Sequence, residues 1–271
     1  MRYFYQDWSA IKGKLKGKFL FLFLDYDGTL APIVKTPEVA TISKETKLLL
    51  FELSENPCCK IAVISGRSLE DIKKKLGLNN IIYSGNHGLE IQGPQIRFVT
   101  QISESYKKTL EQIIKDLNKK ISPFKGAFIE DKGFSLALHF RLVKSKFVHL
   151  VKIAFHETVI LHLVKNKIKI RAGKKILEVR PILEWDKGKV VLWLLARQKF
   201  IRSGCEVFPI YIGDDSTDED AFKALKHIGI TIFVGNPKPS HAQYYLEDTN
   251  EVKEFLKRII IMQRENICQS K

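Results

Sequence analysis

The chain has 271 residues, 45% of them hydrophobic, which is enough for one or two domains with a buried core. Its formal net charge of +15 suits acidic partners such as nucleic acids, anionic lipids or phosphorylated substrates. The four cysteines include an adjacent pair and no Cys-x-x-Cys, so they indicate neither a disulfide framework nor a zinc site and are typical of reduced thiols. They are Cys58, Cys59, Cys205 and Cys268.

The N-terminal segment superficially resembles a signal peptide. Lys12, Lys14, Lys16 and Lys18 precede the apolar run 19–24, but that run is short and ends in carboxylates rather than in a small-residue cleavage site. No run of consecutive apolar residues approaches the roughly 18 that a membrane span requires. We therefore expect a cytoplasmic protein without a membrane partner.

The most informative stretch is the apolar run 19–24 followed by Asp25 and Asp27. A run of this length that ends in Asp and Gly28 predicts a strand buried on both faces that stops at a turn. Side chains alternate along a strand, so both carboxylates can point towards the same space at its carboxyl end, where open α/β sheets bind ligands. Two like charges buried together require a cation or a proton, which favours a chemical role over ordinary turn chemistry.

Other strands repeat this pattern. The strand predicted over 60–64 runs into Ser65, Gly66 and Arg67, and the strand over 207–212 runs into the acidic segment 213–219. Helices are predicted over 43–55, 68–76, 187–199 and 218–227, further strands over 81–84 and 230–234, and a closing helix over 250–264. Alternating strands and helices indicate a parallel, doubly wound α/β sheet.

The middle of the chain has a different composition. Residues 100–183 hold 18 Lys or Arg against 7 Asp or Glu, whereas the other 187 residues hold 27 against 23. The hydrophobic pattern of this segment predicts the order α-β-β-α-β-β, with its last strands around 168–170 and 176–180. We therefore predict a core of residues 1–99 and 184–271 with an inserted, smaller α+β domain of residues 100–183.

The strands of the inserted domain carry polar residues on one face. In 134–141 the even positions are apolar, so Ser135, His139 and Arg141 are predicted to project from the other side. In 176–180, Glu178 and Arg180 likewise share a face. A solvent-facing sheet surface gives the same alternation, so the pattern alone leaves both interpretations open.

Two sets of motifs carry a family resemblance. One set, in order, is Asp25-Tyr26-Asp27-Gly28-Thr29, Ser65-Gly66-Arg67, Lys187-Gly188 and Gly213-Asp214-Asp215-Ser216-Thr217-Asp218-Glu219. These motifs resemble those of the haloacid dehalogenase (HAD) superfamily of phosphohydrolases. The other set is Asn86-His87-Gly88-Leu89-Glu90, Glu130-Asp131-Lys132 with His139-Phe140-Arg141, and Glu178-Val179-Arg180-Pro181 with Trp185-Asp186-Lys187-Gly188. This set is similar to the trehalose-6-phosphate phosphatase branch of that superfamily.

The resemblance implies a HAD-like core, an inserted cap domain for substrate recognition, and Mg²⁺-dependent hydrolysis of trehalose 6-phosphate in trehalose biosynthesis. Asp25 is then the expected nucleophile, which forms an aspartyl-phosphate, and Asp27 the general acid and base. Lys187 and Ser65, with the amides near Gly66, are expected to stabilise the transferring phosphoryl group.

The resemblance also implies the metal ligands. Asp25, the backbone carbonyl of Asp27 and Asp214 are the expected Mg²⁺ ligands. Asp215 and Asp218 are expected either to support these ligands without binding the ion or to bind the ion through a water molecule.

Substrate contacts are expected from both domains. In the core the candidates are Gly66, Arg67, Asn86 and His87, although Arg67 either binds phosphate or pairs with Asp71 four residues on. In the cap they are Glu130, Lys132, His139, Arg141, Glu178 and Arg180. Of these, Glu130, Lys132 and Glu178 match cap positions of the family that hold sugar hydroxyls.

Alternatives remain open. Phosphatases of sucrose 6-phosphate or mannosyl-3-phosphoglycerate share the cap type and core motifs, although Glu130, Lys132 and Glu178 favour trehalose. A non-catalytic phosphosugar-binding module is disfavoured because the catalytic motif residues are all present. A nucleic-acid-binding protein is disfavoured because no aromatic-basic RNA motif or helix-turn-helix signature accompanies the charge. We expect a monomer that acts on a small sugar phosphate, has a functional link to a trehalose-6-phosphate synthase and binds no nucleic acid.

Overall fold

The computed structural model describes residues 1–34, 36, 39–173, 175–202 and 204–269, except the side chains of 266–269, so the Cys268 thiol lies outside the description. The chain forms two compact units. One comprises Met1–Phe98 and Trp185–Lys271, and the other Val99–Glu184. Each boundary lies one residue from the position that the sequence predicts.

The elements are numbered in chain order. The strands are β1 (Arg2–Tyr3), β2 (Phe19–Leu24), β3 (Cys59–Ile64), β4 (Ile82–Gly85), β5 (Glu90–Gly93), β6 (Ile96–Val99), β7 (Phe128–Asp131), β8 (Leu136–His139), β9 (Lys169–Gly173), β10 (Ile176–Arg180), β11 (Val207–Gly213), β12 (Ile230–Val234) and β13 (Tyr244–Leu246). The helices are α1 (Trp8–Leu15), α2 (Lys44–Glu55), α3 (Leu69–Leu76), α4 (Glu104–Ile121), α5 (Val148–Val164), α6 (Lys187–Ile201), α7 (Glu219–Leu225) and α8 (Thr249–Gln269).

The core unit is built on one sheet in the order β1-β13-β12-β11-β2-β3-β4-β5-β6. Neighbouring strands from β1 across to β4 pair in parallel, and β5 runs antiparallel to β4. Helices cover both faces, since α1, α2, α3 and α8 contribute to one hydrophobic cluster and α6 and α7 to the other. The predicted doubly wound parallel sheet is confirmed.

Strand β2 is the centre of this sheet, and its six side chains are at most 3% exposed. Its even-numbered leucines pack into one cluster and its odd-numbered phenylalanines into the other. Burial of each Leu or Phe side chain stabilises the fold by about 1.5–3 kcal/mol. The continuous apolar run is therefore required by the position of β2, with helices on both sides.

Side-chain caps set the start of several helices, among them α2, α3 and α6. Ser43 accepts a hydrogen bond from the Thr46 amide, Ser68 from the Asp71 amide and Asp186 from the Lys189 amide. The cap at Asp186 makes Lys187 the first residue of α6, as the sequence predicts.

Several elements of the core were not predicted, namely β1, α1, β5, β6 and β13. The strands among them have two to four residues, too few for an alternating pattern to emerge. The closing helix α8 extends to Gln269, beyond the predicted end at 264.

The inserted unit has an antiparallel sheet in the order β7-β8-β10-β9, with α4 and α5 packed on it around one hydrophobic cluster. The observed element order is the predicted α-β-β-α-β-β. One detail is wrong: β8 ends at His139, and Arg141 lies in an exposed turn beyond it. Strand alternation therefore does not set the direction of Arg141.

Helix α5 corrects a second expectation. The segment Ser145–Val164 satisfies the length and composition of a membrane span, and an 18-residue window within it has a mean hydropathy of 1.5 and is 17% buried. Lys152, His156 and Glu157 interrupt its apolar residues, so no continuous apolar run marks this segment in the sequence. In the structure Val151, Phe155 and Val159 of this helix lie in the core of the inserted unit.

Candidate active site

The predicted motifs lie side by side at one edge of the core sheet. Strands β11, β2 and β3 are adjacent and parallel, so their carboxyl ends meet there. Asp25 follows β2, Ser65 follows β3 and Asp214 follows β11. All three are buried, with 5%, 1% and 8% exposure. The structure therefore brings together residues that are up to 189 positions apart in the chain.

Lys187 lies between two of the carboxylates. Its Nζ is 2.7 Å from Asp25 Oδ1 and 2.7 Å from Asp218 Oδ1, and the residue is 3% exposed. Burial acts to lower the pKa of Lys187, but the charges of Asp218 and Asp25 raise it well above its usual value. Lys187 therefore remains an ammonium ion at neutral pH.

Asp218 is fully buried and organises the loop after β11. Its Oδ1 accepts hydrogen bonds from Lys187 Nζ and, at 2.6 Å, from the Tyr211 hydroxyl. Its Oδ2 accepts from the amides of Asp214 and Asp215, both at 3.0 Å. Sequence reasoning missed Tyr211, because an aromatic residue in an apolar strand is typical of the core and its hydroxyl partner depends on the fold.

Three carboxylates crowd together here. Oxygens of Asp25, Asp214 and Asp218 all lie within 4.8 Å of one another. Burial raises the pKa of Asp25 well above its usual value, Lys187 opposes this, and Asp218 and Asp214 add to it. One ammonium ion does not balance this cluster, so a further cation would stabilise its ionised form. An all-oxygen set of carboxylates is the donor chemistry of a hard divalent ion.

Gly28 makes this crowding sterically possible. It has φ +87°, and a Cβ at this position would lie 2.2 Å from Asp214 Oδ2. Only glycine therefore allows the turn after β2 to pass so close to the Asp214 carboxylate.

Asp215 extends the acidic segment and is also held in place. Its Oδ1 accepts hydrogen bonds from the amide and the hydroxyl of Thr217, both at 2.7 Å. Burial acts to raise the pKa of Asp215, but Lys187 and the Thr217 hydrogen bonds lower it to about 2. Asp215 is therefore ionised near neutral pH.

Asp27 is held by Arg67 in a bidentate pair. Arg67 Nε lies 2.7 Å from Asp27 Oδ2, and Nη2 lies 2.7 Å from Asp27 Oδ1. The third guanidinium nitrogen, Nη1, is 2.7 Å from Asp71 Oδ2. Of the two alternatives for Arg67, the pairing with Asp71 is present, whereas no sequence pattern indicated the pairing with Asp27. Phosphate binding by Arg67 stays a prediction.

The segment after β4 is tied to the segment after β3. The amides of Asn86 and His87 donate to the carbonyls of Arg67 at 2.7 Å and Ser65 at 2.9 Å. Asn86 and His87 have φ values of 49° and 55°, a left-handed conformation that is uncommon for such residues and concentrates at functional sites. A Cβ at Gly66 would lie 2.5 Å from His87 Nε2, so the imidazole lies directly on that glycine.

The inserted unit carries a separate polar group of residues on its sheet. Glu130 of β7 and Glu178 of β10 both lie opposite Ala137 of β8, so the two carboxylate side chains start from one row across three strands. Glu130 Oε2 is 2.8 Å from His139 Nε2, and the His139 ring stacks on Phe128 with 4.6 Å between centroids.

Glu178 is 5% exposed and is surrounded by donors. Its Oε1 is 3.1 Å from Lys132 Nζ and 3.4 Å from Ser135 Oγ, and its Oε2 is 2.6 Å from Arg180 Nε. The predicted cap residues, apart from Arg141, thus form two polar groups on this sheet, one around Glu130 and one around Glu178. Their contacts with sugar hydroxyls stay a prediction.

The chain resembles known proteins over most of its length. A family model described as trehalose-phosphatase matches residues 23–250. The chain is 36% identical over 272 residues to probable trehalose-phosphate phosphatase 4 of Oryza sativa subsp. japonica, an alignment that covers 97% of this chain and 71% of that protein.

Solved structures also resemble this chain over most of its length. The C-terminal domain of a C. albicans trehalose-6-phosphate phosphatase has 25% identity and a TM-score of 0.80, with 96% of this chain and 97% of that one covered. A haloacid dehalogenase-like hydrolase from Bacteroides thetaiotaomicron, at 16% identity, covers 89% of this chain and 100% of its own and has a TM-score of 0.62. That likeness concerns the fold and confirms the predicted HAD-like architecture.

Proposed function

This chain belongs to the trehalose-phosphatase family, and from that premise we propose that it hydrolyses trehalose 6-phosphate to trehalose and inorganic phosphate. The observation that carries the proposal is the buried group of Asp25, Lys187 and Asp214 at the carboxyl edge of the sheet, within the segment that the family model matches. It supplies a nucleophile, a fixed positive charge and a set of oxygen donors in one place.

Asp25 is the proposed nucleophile. One of its oxygens attacks phosphorus, the bond between phosphorus and the sugar oxygen breaks, and an aspartyl-phosphate forms. Lys187, 2.7 Å from Asp25 Oδ1 and permanently charged, orients this carboxylate and stabilises negative charge on the phosphoryl oxygens. Asp218 holds Lys187 from the other side.

Asp27 is the proposed general acid and base. It gives a proton to the departing sugar oxygen and then takes a proton from the water that attacks the aspartyl-phosphate. Arg67 fixes the Asp27 carboxyl through two hydrogen bonds of 2.7 Å and is itself anchored by Asp71. Ser65 and the neighbouring amides are proposed to bind equatorial phosphoryl oxygens.

The proposed cofactor is Mg²⁺, held by Asp25, Asp214 and the backbone carbonyl of Asp27. When bound, it supplies the positive charge that lets an anionic nucleophile approach a phosphate dianion. The structure favours Asp218 as a positioning residue, because both of its oxygens already accept two hydrogen bonds each.

The inserted unit is proposed to select the sugar. Glu130, Lys132 and Glu178 offer carboxylate acceptors and an ammonium donor, which suit the hydroxyls of a disaccharide. Glu130 and Glu178 lie in one row with Ala137, which supports their acting on the same sugar. We also propose that the protein is cytoplasmic and monomeric and is linked in function to a trehalose-6-phosphate synthase.

The proposal is tested by phosphate release from a panel of sugar phosphates in the presence of Mg²⁺. Trehalose 6-phosphate should give the highest kcat/KM, ahead of sucrose 6-phosphate, mannosyl-3-phosphoglycerate and glucose 6-phosphate. A preference for one of the other three would overturn the substrate assignment. No phosphate release from any of the four substrates would overturn the proposed activity.

A further inference from the structure

The core unit has a polar cavity at the edge of its sheet opposite the aspartates. It measures about 320 Å³ and lies where β2, β3 and β4 begin, with Phe19, Cys59 and Ile82 in its wall. The end of α6 contributes Gln198 and Arg202, and β3 contributes Lys60. This edge has no part in the phosphatase chemistry proposed above.

Two cations in this wall have no counter-ion in the described part of the chain. The Arg202 guanidinium carbon lies 4.3 Å above the Phe19 ring, and neither Arg202 nor Lys60 has an ion pair with a described carboxylate. Glu206 pairs with Lys18 at 2.7 Å, and Glu55, which also lines the cavity, accepts a hydrogen bond from Asn80 in the same wall.

The surroundings of Lys60 destabilise its charged form. Burial and then the charge of Arg202 lower the pKa of Lys60. Arg202 is exposed and Lys60 is half-buried, so the folded chain keeps two like charges near each other, one of them partly desolvated. An anion placed between them would remove both penalties, by pairing with the charges and by replacing lost water.

Gln198 adds a neutral donor to the same wall. It is 9% exposed, and its side-chain amide makes no hydrogen bond to any residue that the structure describes. Arg197, also in the wall, donates from Nη2 to the Gln95 carbonyl at 2.5 Å. The cavity is partly open to solvent, and its small volume suits a small molecule.

We propose that this cavity binds a small phosphate-class dianion, either inorganic phosphate or a phosphorylated metabolite, through Lys60, Gln198 and Arg202. The site is separate from the catalytic aspartates and does not depend on the identity of the enzyme's substrate. Lys60 and Arg202 pair with the anionic oxygens, and the Gln198 amide donates to a third.

The test uses pyridoxal 5′-phosphate, whose phosphate group seeks anion sites and whose aldehyde forms an imine with an unprotonated lysine. Borohydride reduction fixes the label, and peptide mass spectrometry reads Lys60 separately from Lys187. Lys60 should be labelled several-fold faster than Lys44, an exposed lysine of the same unit. Inorganic phosphate or glucose 6-phosphate, added in advance, should protect Lys60 but not Lys44.

A matched pair of variants completes the test. Arg202→Met should raise the phosphate concentration that half-protects Lys60 by about tenfold or more, as expected for loss of a charge-assisted hydrogen bond. Lys44→Met, which removes one positive charge far from the cavity wall, should leave this phosphate concentration unchanged. Melting curves should show that both variants are folded. Stronger protection by glucose 6-phosphate identifies a phosphorylated metabolite as the ligand, and equal or weaker protection identifies phosphate itself. Labelling of Lys60 at the rate of Lys44, or protection unaffected by Arg202→Met, would overturn the proposal.

Discussion

Asp218→Asn should destabilise the core unit even though it barely changes the size of the side chain. The Asp218 carboxylate accepts four hydrogen bonds, two at each oxygen. An amide has one accepting oxygen and one donating nitrogen. Whichever way it is turned, its NH₂ group faces either the Lys187 ammonium or the two backbone amides of Asp214 and Asp215, and donors then oppose donors.

The magnitude follows from these contacts. Each lost hydrogen bond to a charged group costs about 1.5–3 kcal/mol. Removing one partner of a buried ion pair costs about 3–5 kcal/mol, because the other charge stays buried. Asp25 still compensates Lys187 in part, so we expect the lower end, about 3–4 kcal/mol. For a chain of this size that corresponds to a decrease of about 10 °C in melting temperature.

The assay is thermal unfolding followed by circular dichroism, in EDTA so that no divalent ion contributes. Asp214→Asn is the matched control, since it makes the same chemical change in the same cluster. It removes one of three mutually repelling carboxylates, so its melting temperature should fall far less than that of Asp218→Asn or should rise. If Asp218→Asn melted like the wild type in EDTA and fell behind only with Mg²⁺ present, Asp218 would be a metal ligand and the reasoning would be refuted.

Three further predictions concern catalysis. EDTA should abolish phosphate release and Mg²⁺ should restore it, whereas excess Ca²⁺ should inhibit because it prefers longer bonds and higher coordination; activity after thorough chelation would contradict the metal assignment. Asp27→Asn should be severely slow with trehalose 6-phosphate but should accumulate phosphoenzyme from a substrate with a good leaving group, detectable by intact-protein mass spectrometry; equal defects in forming phosphoenzyme from both substrates would argue against Asp27 as the acid. Glu130→Ala should lower kcat/KM for trehalose 6-phosphate by about one to two powers of ten and leave p-nitrophenyl phosphate hydrolysis nearly unchanged, while the exposed control Glu157→Ala should change neither; equal losses on both substrates would assign Glu130 to cap folding instead.

The sequence predicts best those elements whose position in the fold requires a particular local pattern of residues. Strand β2 was located from end to end because a central strand with helices on both faces must be apolar at every residue. The start of α6 was located because Asp186 is a strong N-cap. The short edge strands β1 and β13 escaped prediction, since their pairing depends on residues more than 240 positions apart.

The site was predictable as a set of motifs but not as a network. The aspartates stood out because two like charges at the end of a buried strand require a cation or a proton, and Lys187 stood out through its family motif. The bidentate pair of Arg67 and Asp27 and the hydroxyl of Tyr211 on Asp218 could not be foreseen, because each requires knowing how two strand ends meet. Helix α5 was predictable from its pattern, because Val151, Phe155 and Val159 recur at helical spacing and form its buried face.

The most direct test of the central claim compares phosphate release from trehalose 6-phosphate by the wild type and by Asp25→Asn, at equal concentrations of folded protein and with Mg²⁺ present. The amide keeps the size of the side chain but cannot act as an anionic nucleophile. The wild type should turn over, and the variant should retain its melting transition and lose several powers of ten in kcat. Comparable phosphate release by the two proteins would contradict the covalent mechanism, and no release by the wild type would contradict the proposed function.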